Sequence, residues 1–198
     1  MKQLKWIIPM ALFFSVTGAW AQETAFGLKG GVNLTNLKVD DPEASYDSRT
    51  GYHAGVFVRS KFNKIALQPE LLLFTQSNEV NYAGGFGATQ RFTYLSVPVL
   101  LKFYPAMGLN VHLGPQFGFL VDGEEEVRSL LFTGTRDISE SYKSSDVSLS
   151  LGAGWDFDFG LSLDVRYNLG IKDINNVADG EEARSRVFLL SLGWNFLK

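Results

Sequence analysis

Apolar and polar residues alternate with a period of two along eight segments of the chain. An extended strand places successive side chains on opposite faces, so this alternation predicts strands with one apolar and one polar face. Each segment is long enough to cross a bilayer as a tilted strand, and eight antiparallel strands suffice to close a small barrel. The segments begin near Phe26, Tyr52, Ile65, Tyr94, Leu109, Asp146, Leu161 and Phe188.

The connections between these segments alternate between long and short. In chain order they span about 13, 3, 14, 5, 24, 3 and 14 residues, an alternation that is typical of outer-membrane barrels. The sequence therefore predicts an all-β fold: an eight-stranded antiparallel up-and-down transmembrane β-barrel with short periplasmic turns and long outer loops. Because the first connection is long, both ends of the chain are expected on the periplasmic side.

The main alternative is a soluble barrel of the lipocalin type, whose apolar face would point inward. Two features favour an apolar face that contacts lipid instead. This face carries no charged residue before Arg186, which is the composition that contact with hydrocarbon requires. Nine glycines lie on the polar face, where a crowded lumen needs small residues and a water-exposed strand would favour larger ones.

Three prolines interrupt the predicted strands. Pro69, Pro98 and Pro115 lie inside the third, fourth and fifth strands. Each lacks the N–H that a strand donates to its neighbour, and a closed barrel has no free edge at which to place it. We expect β-bulges or a local thinning of the hydrogen-bond ladder at these positions.

The first 21 residues have the features of a secretory signal peptide. Lys2 and Lys5 precede a short apolar run, and Ala19-Trp20-Ala21 provides an A-x-A cleavage site. The apolar run is too short for a membrane-spanning helix. We therefore expect a signal peptide at 1–21 and a barrel domain at 22–198; removal of Lys2 and Lys5 changes the net charge from −3 to −5.

The composition of the 198 residues excludes several kinds of chemistry. Without cysteine the chain has no disulfide and no thiolate metal site, and His53 and His112 are its only histidines. A net charge of −3 with no basic cluster argues against a nucleic-acid partner. A hydrophobic content of 45% argues against a disordered chain.

Eight titratable side chains fall on the polar face of the predicted strands and would point into the lumen. Opposite charges that are crowded away from water are expected to pair. We predict a network of ion pairs and hydrogen bonds that fills the barrel and leaves no wide pore; a proton or ion pathway is the alternative. The residues are Lys29, Arg59, Glu70, Lys102, His112, Asp156, Asp164 and Arg166.

Aromatic residues cluster near the predicted strand ends. Girdles of aromatic side chains are expected where a barrel crosses the two membrane interfaces. The sequence predicts a periplasmic girdle formed by Phe26, Phe103, Trp155, Phe157, Trp194 and Phe196.

The predicted outer loops are acidic. Together 38–50, 77–90, 122–145 and 172–185 contain 15 acidic and 7 basic residues. In the longest loop, Glu124-Glu125-Glu126 is compatible with a divalent cation shared with lipopolysaccharide phosphates. A solvated acidic loop is the favoured interpretation, because the ligand spacing of calcium loops is absent.

A lipid-modifying enzyme would need a nucleophile and a base within hydrogen-bond reach. The candidate at the barrel rim is His53 with a loop serine such as Ser48, and the sequence contains no G-x-S-x-G, H-E-x-x-H or phosphate-loop motif. We therefore expect a protein that is not an enzyme, without catalytic residues, cofactors or a metal site.

Several segments resemble the PorT-like outer-membrane β-barrel proteins of Bacteroidota. They include G-G-x-N at 30–33, Q-P-E-L at 68–71 and P-V-L-L-K at 98–102, and the resemblance extends over nearly all of 22–198. It implies an eight-stranded barrel in the bacterial outer membrane and supplies no catalytic residues. One member of that family is linked to the type IX protein secretion pathway.

The expected function is a non-enzymatic outer-membrane barrel with a structural or surface-interaction role. An accessory role in protein secretion, of the type IX kind, is the alternative, and a lipid A-modifying enzyme is the third. The expected partners are outer-membrane lipid and lipopolysaccharide, with envelope or secretion proteins as further candidates, and the protein is expected to be a monomer.

Overall fold

The computed structural model describes residues 23–38, 45–48, 50–82, 86–129, 132–137, 145–171 and 184–197. The predicted signal peptide, 1–21, lies outside these residues. No helix in the described ranges is long and apolar enough to cross a membrane. The same ranges contain ten strands: β1 Glu23–Lys38, β2 Ser45–Ser48, β3 Thr50–Phe62, β4 Ile65–Tyr82, β5 Phe86–Phe103, β6 Leu109–Ser129, β7 Phe132–Asp137, β8 Ser145–Asp156, β9 Leu161–Gly170 and β10 Arg184–Leu197.

Eight of these strands close into a barrel in which every neighbouring pair is antiparallel. The order around the wall is β4-β3-β1-β10-β9-β8-β6-β5, and β5 pairs with β4 to complete the circle. The first and last barrel strands join directly, with Val32 opposite Leu190. The predicted eight-stranded antiparallel barrel is confirmed.

Short turns join the strands at one end of the barrel, which we call the turn end; the opposite end is the loop end. Backbone hydrogen bonds link the turn after β5 to the turn after β3, and the turn after β8 to β10. The Tyr104 N–H donates to the Lys64 carbonyl at 2.8 Å, and the Asn195 N–H donates to the Gly160 carbonyl at 2.9 Å. Gly108 and Gly160 have φ values of 72° and 105°, which only glycine adopts without strain.

The strands β4, β5 and β6 continue past the loop end and carry two further short strands. Here β2 pairs with 78–81 of β4, and β7 pairs with 124–129 of β6. We call this set (45–48, 75–82, 86–93, 122–129 and 132–137) the protruding sheet. The predicted loops 77–90 and 122–145 are thus in part strand, and this part of the prediction is wrong. Outside a membrane both sheet faces contact water, so the alternation that marks the barrel strands is not required.

The three prolines thin the ladder without shifting the register. Pairing is interrupted between β3 and β4 beside Pro69, between β4 and β5 beside Pro98, and between β5 and β6 beside Pro115. The register is the same on both sides of each interruption. The register shifts fall at Phe26/Gly27 and at Thr93/Tyr94 instead. Thinning of the ladder at the prolines is therefore confirmed, and the expected bulges there are not found.

The barrel wall is apolar outside and polar inside. Val165 and Leu190 stand opposite each other on β9 and β10 and are 41% and 47% exposed, whereas Arg166, the next residue along β9, is 1% exposed. Glycine is required where strands approach closely on the inner face: a Cβ at Gly114 would collide with the Val99 carbonyl. This inside-out polarity is the opposite of that of a water-soluble barrel.

Candidate functional site: the charged lumen

All eight side chains predicted to point into the lumen lie there. They are contributed by seven of the barrel strands, namely β1, β3, β4, β5, β6, β8 and β9. The side chain of Asp156 is 10% exposed, and the other seven residues are at most 8% exposed. Because successive side chains of a strand alternate in direction, one register places all of them inside.

The central cluster is formed by Lys29, Glu70, Asp164 and Arg166. The Arg166 guanidinium donates from both terminal nitrogens to the two Glu70 carboxylate oxygens at 3.0 Å, and Nη2 also donates to Asp164 Oδ1 at 3.2 Å. The Lys29 ammonium donates to Glu70 and to Asp164, each at 3.0 Å. Each cation thus bridges both carboxylates, so the four side chains tie β1, β4 and β9 together across the lumen.

A second cluster surrounds Asp156 near the turn end. Its Oδ2 atom lies 2.7 Å from Arg59 Nη1 and 3.4 Å from Lys102 Nζ. The same oxygen accepts a hydrogen bond from the Tyr104 hydroxyl at 2.7 Å and one from Asn110 at 3.2 Å. Burial and the neighbouring Asp156 carboxylate raise the pKa of Tyr104, which lies in the turn after β5. The tyrosine therefore remains a hydrogen-bond donor at physiological pH.

His112 connects the two clusters. Its Nε2 atom lies 3.3 Å from Asp164 Oδ2, and its Nδ1 atom lies 3.1 Å from Asn110 Oδ1. The amide nitrogen of Asn110 in turn contacts Asp156. The two clusters contain four cationic side chains and three carboxylates, so the charges nearly balance. Charges removed from water are tolerated when they are paired in this way.

The half of the lumen towards the loop end is lined mainly by neutral side chains, together with Asp146. Ser150, Asn168 and Gln116 bond to one another, with 2.7 Å from the serine hydroxyl to the Asn168 amide oxygen. Beside them the lumen is filled by Phe74, Val187 and Leu189, which are at most 5% exposed, and Tyr94 packs against these three. Both polar and apolar side chains therefore fill the interior between the two ends.

A serine lies beside His53, but it is not the predicted Ser48. The His53 Nε2 atom is 2.8 Å from Ser191 Oγ, and Nδ1 is 3.5 Å from Asn33 Oδ1. The three side chains follow the order of a serine-hydrolase triad. However, Ser191, His53 and Asn33 are 2%, 3% and 0% exposed, and the Phe74 ring stacks on the imidazole at 6.3 Å. A substrate carbonyl has no access to the serine in this arrangement.

Sequence reasoning missed the neutral members of the network. Asn33, Asn110, Gln68 and Ser191 all occupy inward positions of the alternation and are at most 2% exposed. Gln68, for example, donates to Glu70 Oε1 at 2.7 Å. The alternation placed these positions on the inner face, but only charged residues were chosen as candidates for the network, so the neutral ones were left out.

The aromatic residues predicted for the girdle lie around the turn end. Phe103, Trp155, Trp194 and Phe196 are 45–49% exposed on the outer wall. Phe26 and Phe196 meet edge to face with ring centroids 5.3 Å apart. Phe157 lies in the turn after β8, 6.2 Å from Trp155 between ring centroids.

The acidic run at 124–126 lies on a strand rather than in a loop. Glu124 is exposed, and along the ladder it stands opposite Arg91 of β5 and Asp137 of β7. Among the residues that the structure describes, no group of three or more His, Asp or Glu side chains is placed to hold a metal ion.

A closed antiparallel barrel with an apolar outer wall and an ion-paired interior defines a transmembrane β-barrel. The sequence assigns it more narrowly: the chain belongs to the outer membrane protein beta-barrel domain family, whose model matches residues 20–176. The protein is therefore located in the bacterial outer membrane, with the turn end towards the periplasm. No curated protein sequence matches the chain.

Solved structures share this architecture at low sequence identity. Neisserial surface protein A matches with a TM-score of 0.53 and 14% identity over 88% of this chain and 100% of that chain. Ail of Yersinia pestis matches with a TM-score of 0.49, 14% identity and the same coverages. OprG of Pseudomonas aeruginosa gives 0.46 and 14% identity over 90% of this chain and 98% of its own. At this identity the likeness to the neisserial protein shows the fold alone.

Proposed function

We propose that this protein is a non-enzymatic barrel with a closed lumen, and that it acts through the protruding sheet in an interaction at the cell surface. The observation that carries the proposal is the filled interior. From Asp156 to Glu70 the lumen is crossed by contacting charged and amide side chains, and Phe74, Val187 and Leu189 fill it nearer the loop end. A lumen packed in this way supports a role outside the barrel rather than transport through it.

The protruding sheet supplies a surface for such a role. The 21 residues of β6 and the 10 of β9 correspond to lengths of about 70 and 34 Å at a rise of about 3.4 Å per residue. One side of the barrel wall therefore extends well beyond the bilayer. The side chains of Arg91, Asp122 and Glu124 are exposed there, as expected of a sheet that stands in water.

The absence of an enzymatic role is part of the same proposal. The Ser191–His53 contact is the strongest catalytic geometry among the described residues, and its burial removes it from any lipid substrate. Nucleophilic catalysis needs the serine oxygen within reach of the substrate carbonyl. The pair is better explained as a hydrogen bond that fills the lumen and links β3 to β10.

Conductance in planar bilayers tests the closed lumen. The purified wild-type barrel is expected to give no resolved current steps. Arg166→Ala, which empties the centre of the lumen, is expected to produce small steps in those molecules that still fold. Regular steps from the wild type would overturn the closed-lumen proposal and favour the ion pathway.

Labelling of intact cells tests the exposed sheet. The chain has no native cysteine, so Glu124→Cys and Met107→Cys each create a unique thiol. Glu124 lies in the protruding sheet, and Met107 is 92% exposed at the opposite end. A membrane-impermeant maleimide is expected to label the first and to spare the second until the outer membrane is permeabilised. Equal labelling in intact cells would contradict this orientation.

Crosslinking from the Glu124→Cys thiol then tests the function itself. A surface role predicts adducts with lipopolysaccharide or with molecules outside the cell, and none of these from Met107→Cys. An accessory role in protein secretion rests on the PorT-like resemblance alone. It would be favoured by capture of a defined secretion component together with loss of export on deletion.

The proposal includes the assembly state and the export route. We expect a monomer, with outer-membrane lipid and lipopolysaccharide around the apolar wall, and export directed by a signal peptide at 1–21. Mass spectrometry of the purified protein is expected to find Gln22 as the first residue. Retention of residues 1–21 in the mature protein would contradict this export route.

A further inference from the structure

Two of the turns at the turn end carry exposed apolar side chains. The turn after β5 presents Pro105, Ala106 and Met107, all of them exposed, and Met107 is 92% exposed. The turn after β8 presents Phe159, which is 65% exposed. Single apolar residues on a surface need no explanation, whereas a group of them indicates a surface that contacts something apolar.

The two turns are joined to each other and to the outer wall. The Asp156 N–H, at the end of β8, donates to the carbonyl of Gly108 in the turn after β5 at 2.8 Å. The Phe159 ring stacks on Phe157 with centroids 5.3 Å apart, and Phe157 lies 6.2 Å from Trp155 of the wall. A row of three aromatic rings therefore leads from the wall into the turn. We call the surface formed by 105–107, 157 and 159 the apolar lip.

The turn after β3 is polar instead. It consists of Asn63 and Lys64, which are both exposed and directly precede the exposed wall residue Ile65. Near the start of this turn, the Lys61 ammonium lies 3.7 Å from a carboxylate oxygen of Glu23. In the order of strands around the wall, the turn after β3 lies opposite the turn after β8. The turn end thus has an apolar side and a polar side.

The apolar lip continues the surface that contacts lipid. Leu109 and Trp155 stand opposite each other at the end of the wall, and both are exposed. Met107 precedes Leu109 by two residues, so it extends at most about 7 Å beyond it at about 3.4 Å per residue. The headgroup layer on each side of the hydrocarbon core is about 5–8 Å thick. The lip therefore lies within reach of this layer.

The charge in the turn after β8 limits how deep the lip can lie. Asp158 is exposed between Phe157 and Phe159. The hydrocarbon core excludes a charged side chain, whereas the headgroup layer accepts both charges and aromatic rings. The composition of the lip therefore fits the headgroup layer better than either the hydrocarbon core or water.

We propose that the apolar lip is immersed in the headgroup layer of the leaflet that faces the periplasm. The barrel then sits deeper in the membrane at the turns after β5 and β8 than at the turn after β3. The partner of the lip is the lipid surface, because the lip is continuous with a wall that lipid already covers. This inference is independent of the proposed surface interaction, since the protruding sheet lies at the other end of the barrel.

Quenching by brominated lipids tests the proposal in vesicles that contain the barrel as their only protein. Met107→Cys and Lys64→Cys each place one fluorophore at an exposed turn residue of the same end, since the chain has no cysteine. Lipids brominated near the top of the acyl chain are expected to quench the label at 107 several-fold more strongly than the label at 64. Equal quenching at the two positions would overturn the proposal. A label at 107 that stays in water would also overturn it, and would leave the lip free for a periplasmic protein.

A second pair of variants tests whether the two turns act as one surface. Phe159→Asp removes the last ring of the aromatic row, and we expect it to lower the quenching of the label at 107 several-fold. Asn63→Asp adds the same charge in the polar turn and is expected to leave that quenching unchanged. Both substitutions lie in exposed turns outside the wall, and the folded fraction is measured for each. Unchanged quenching in folded Phe159→Asp would contradict immersion of the lip as a unit.

Discussion

Arg166 is the side chain whose removal tests the ion-paired lumen most directly. It is 1% exposed and donates three hydrogen bonds, two to Glu70 and one to Asp164. Arg166→Gln removes the charge and the paired donation while it retains much of the volume. Both carboxylates then depend on Lys29, which already lies 3.0 Å from each of them.

The loss in the free energy of unfolding caused by Arg166→Gln can be worked out from these contacts. A hydrogen bond to a charged group contributes about 1.5–3 kcal/mol, so three such bonds set an upper bound of about 9 kcal/mol. Lys29 remains to compensate part of the negative charge that Glu70 and Asp164 then carry without the arginine. Breaking a buried ion pair by removal of one partner costs about 3–5 kcal/mol, and we expect Arg166→Gln to fall in that range. Arg166→Lys should cost about 1–3 kcal/mol, since it keeps the charge but loses the paired geometry.

Urea unfolding of the barrel reconstituted in lipid vesicles measures these values, with the fluorescence of Trp155 and Trp194 as the signal. Glu70→Gln and the double variant complete a thermodynamic cycle, and the double variant should cost clearly less than the sum of the two single ones. The exposed Arg91→Gln is the matched control and should change the free energy of unfolding by less than about 0.5 kcal/mol. A cost below about 1 kcal/mol for Arg166→Gln would mean that water screens these charges and that ion pairing does not stabilise the lumen.

Three further tests concern two positions in the barrel wall and the buried serine. Gly114→Ala should destabilise the barrel by about 1–3 kcal/mol, because the added Cβ collides with the Val99 carbonyl. Gly30→Ala on the outer face is the control and should be tolerated. Urea unfolding compares the two variants, and equal effects would contradict the close approach of the strands at Gly114. Val165→Arg places a charge in lipid and should lower the stability of the barrel by about 2–4 kcal/mol. Met107→Arg in the exposed turn is the control and should have almost no effect. The yield of folded barrel measures the difference, and a tolerated Val165→Arg would place that face away from lipid. A fluorophosphonate probe should fail to label Ser191, and Ser191→Ala should cost only about 1 kcal/mol; labelling of the wild type that is lost in Ser191→Ala would reveal an active hydrolase.

The sequence was most informative where the membrane constrains both faces of a strand. Lipid excludes charge from the outer wall, and the narrow lumen excludes bulk water. The residue types of Val165 and Arg166 were therefore enough to predict that the first side chain points outward and the second inward. Beyond the bilayer this constraint ends. The strands at 77–82 and 122–129 contain polar residues in no fixed order, and their period was therefore not recognisable.

The sequence predicted which charged side chains belong to the lumen network, but not which of them pair with each other. Alternation placed Glu70, Asp164 and Arg166 inside, but the choice of partners depends on the stagger between strands that are far apart in sequence. The contact between His53 and Ser191 joins residues 138 positions apart, across β1, and no local pattern reports it. Neutral members such as Asn110 carry no charge to distinguish them from ordinary small polar residues of a lumen.

The unequal length of the barrel strands has a consequence for engineering. β6 and β7 pair as far as Ser129 opposite Phe132, at the far end of the longest strand. A foreign peptide inserted between Ser129 and Phe132 would stand beyond the lipid surface, at the end of the protruding sheet. An insertion in the turn after β3 would instead face the periplasm and would disturb the hydrogen bond from the Tyr104 N–H to the Lys64 carbonyl. The protruding sheet is therefore a suitable site for the display of epitopes on living cells.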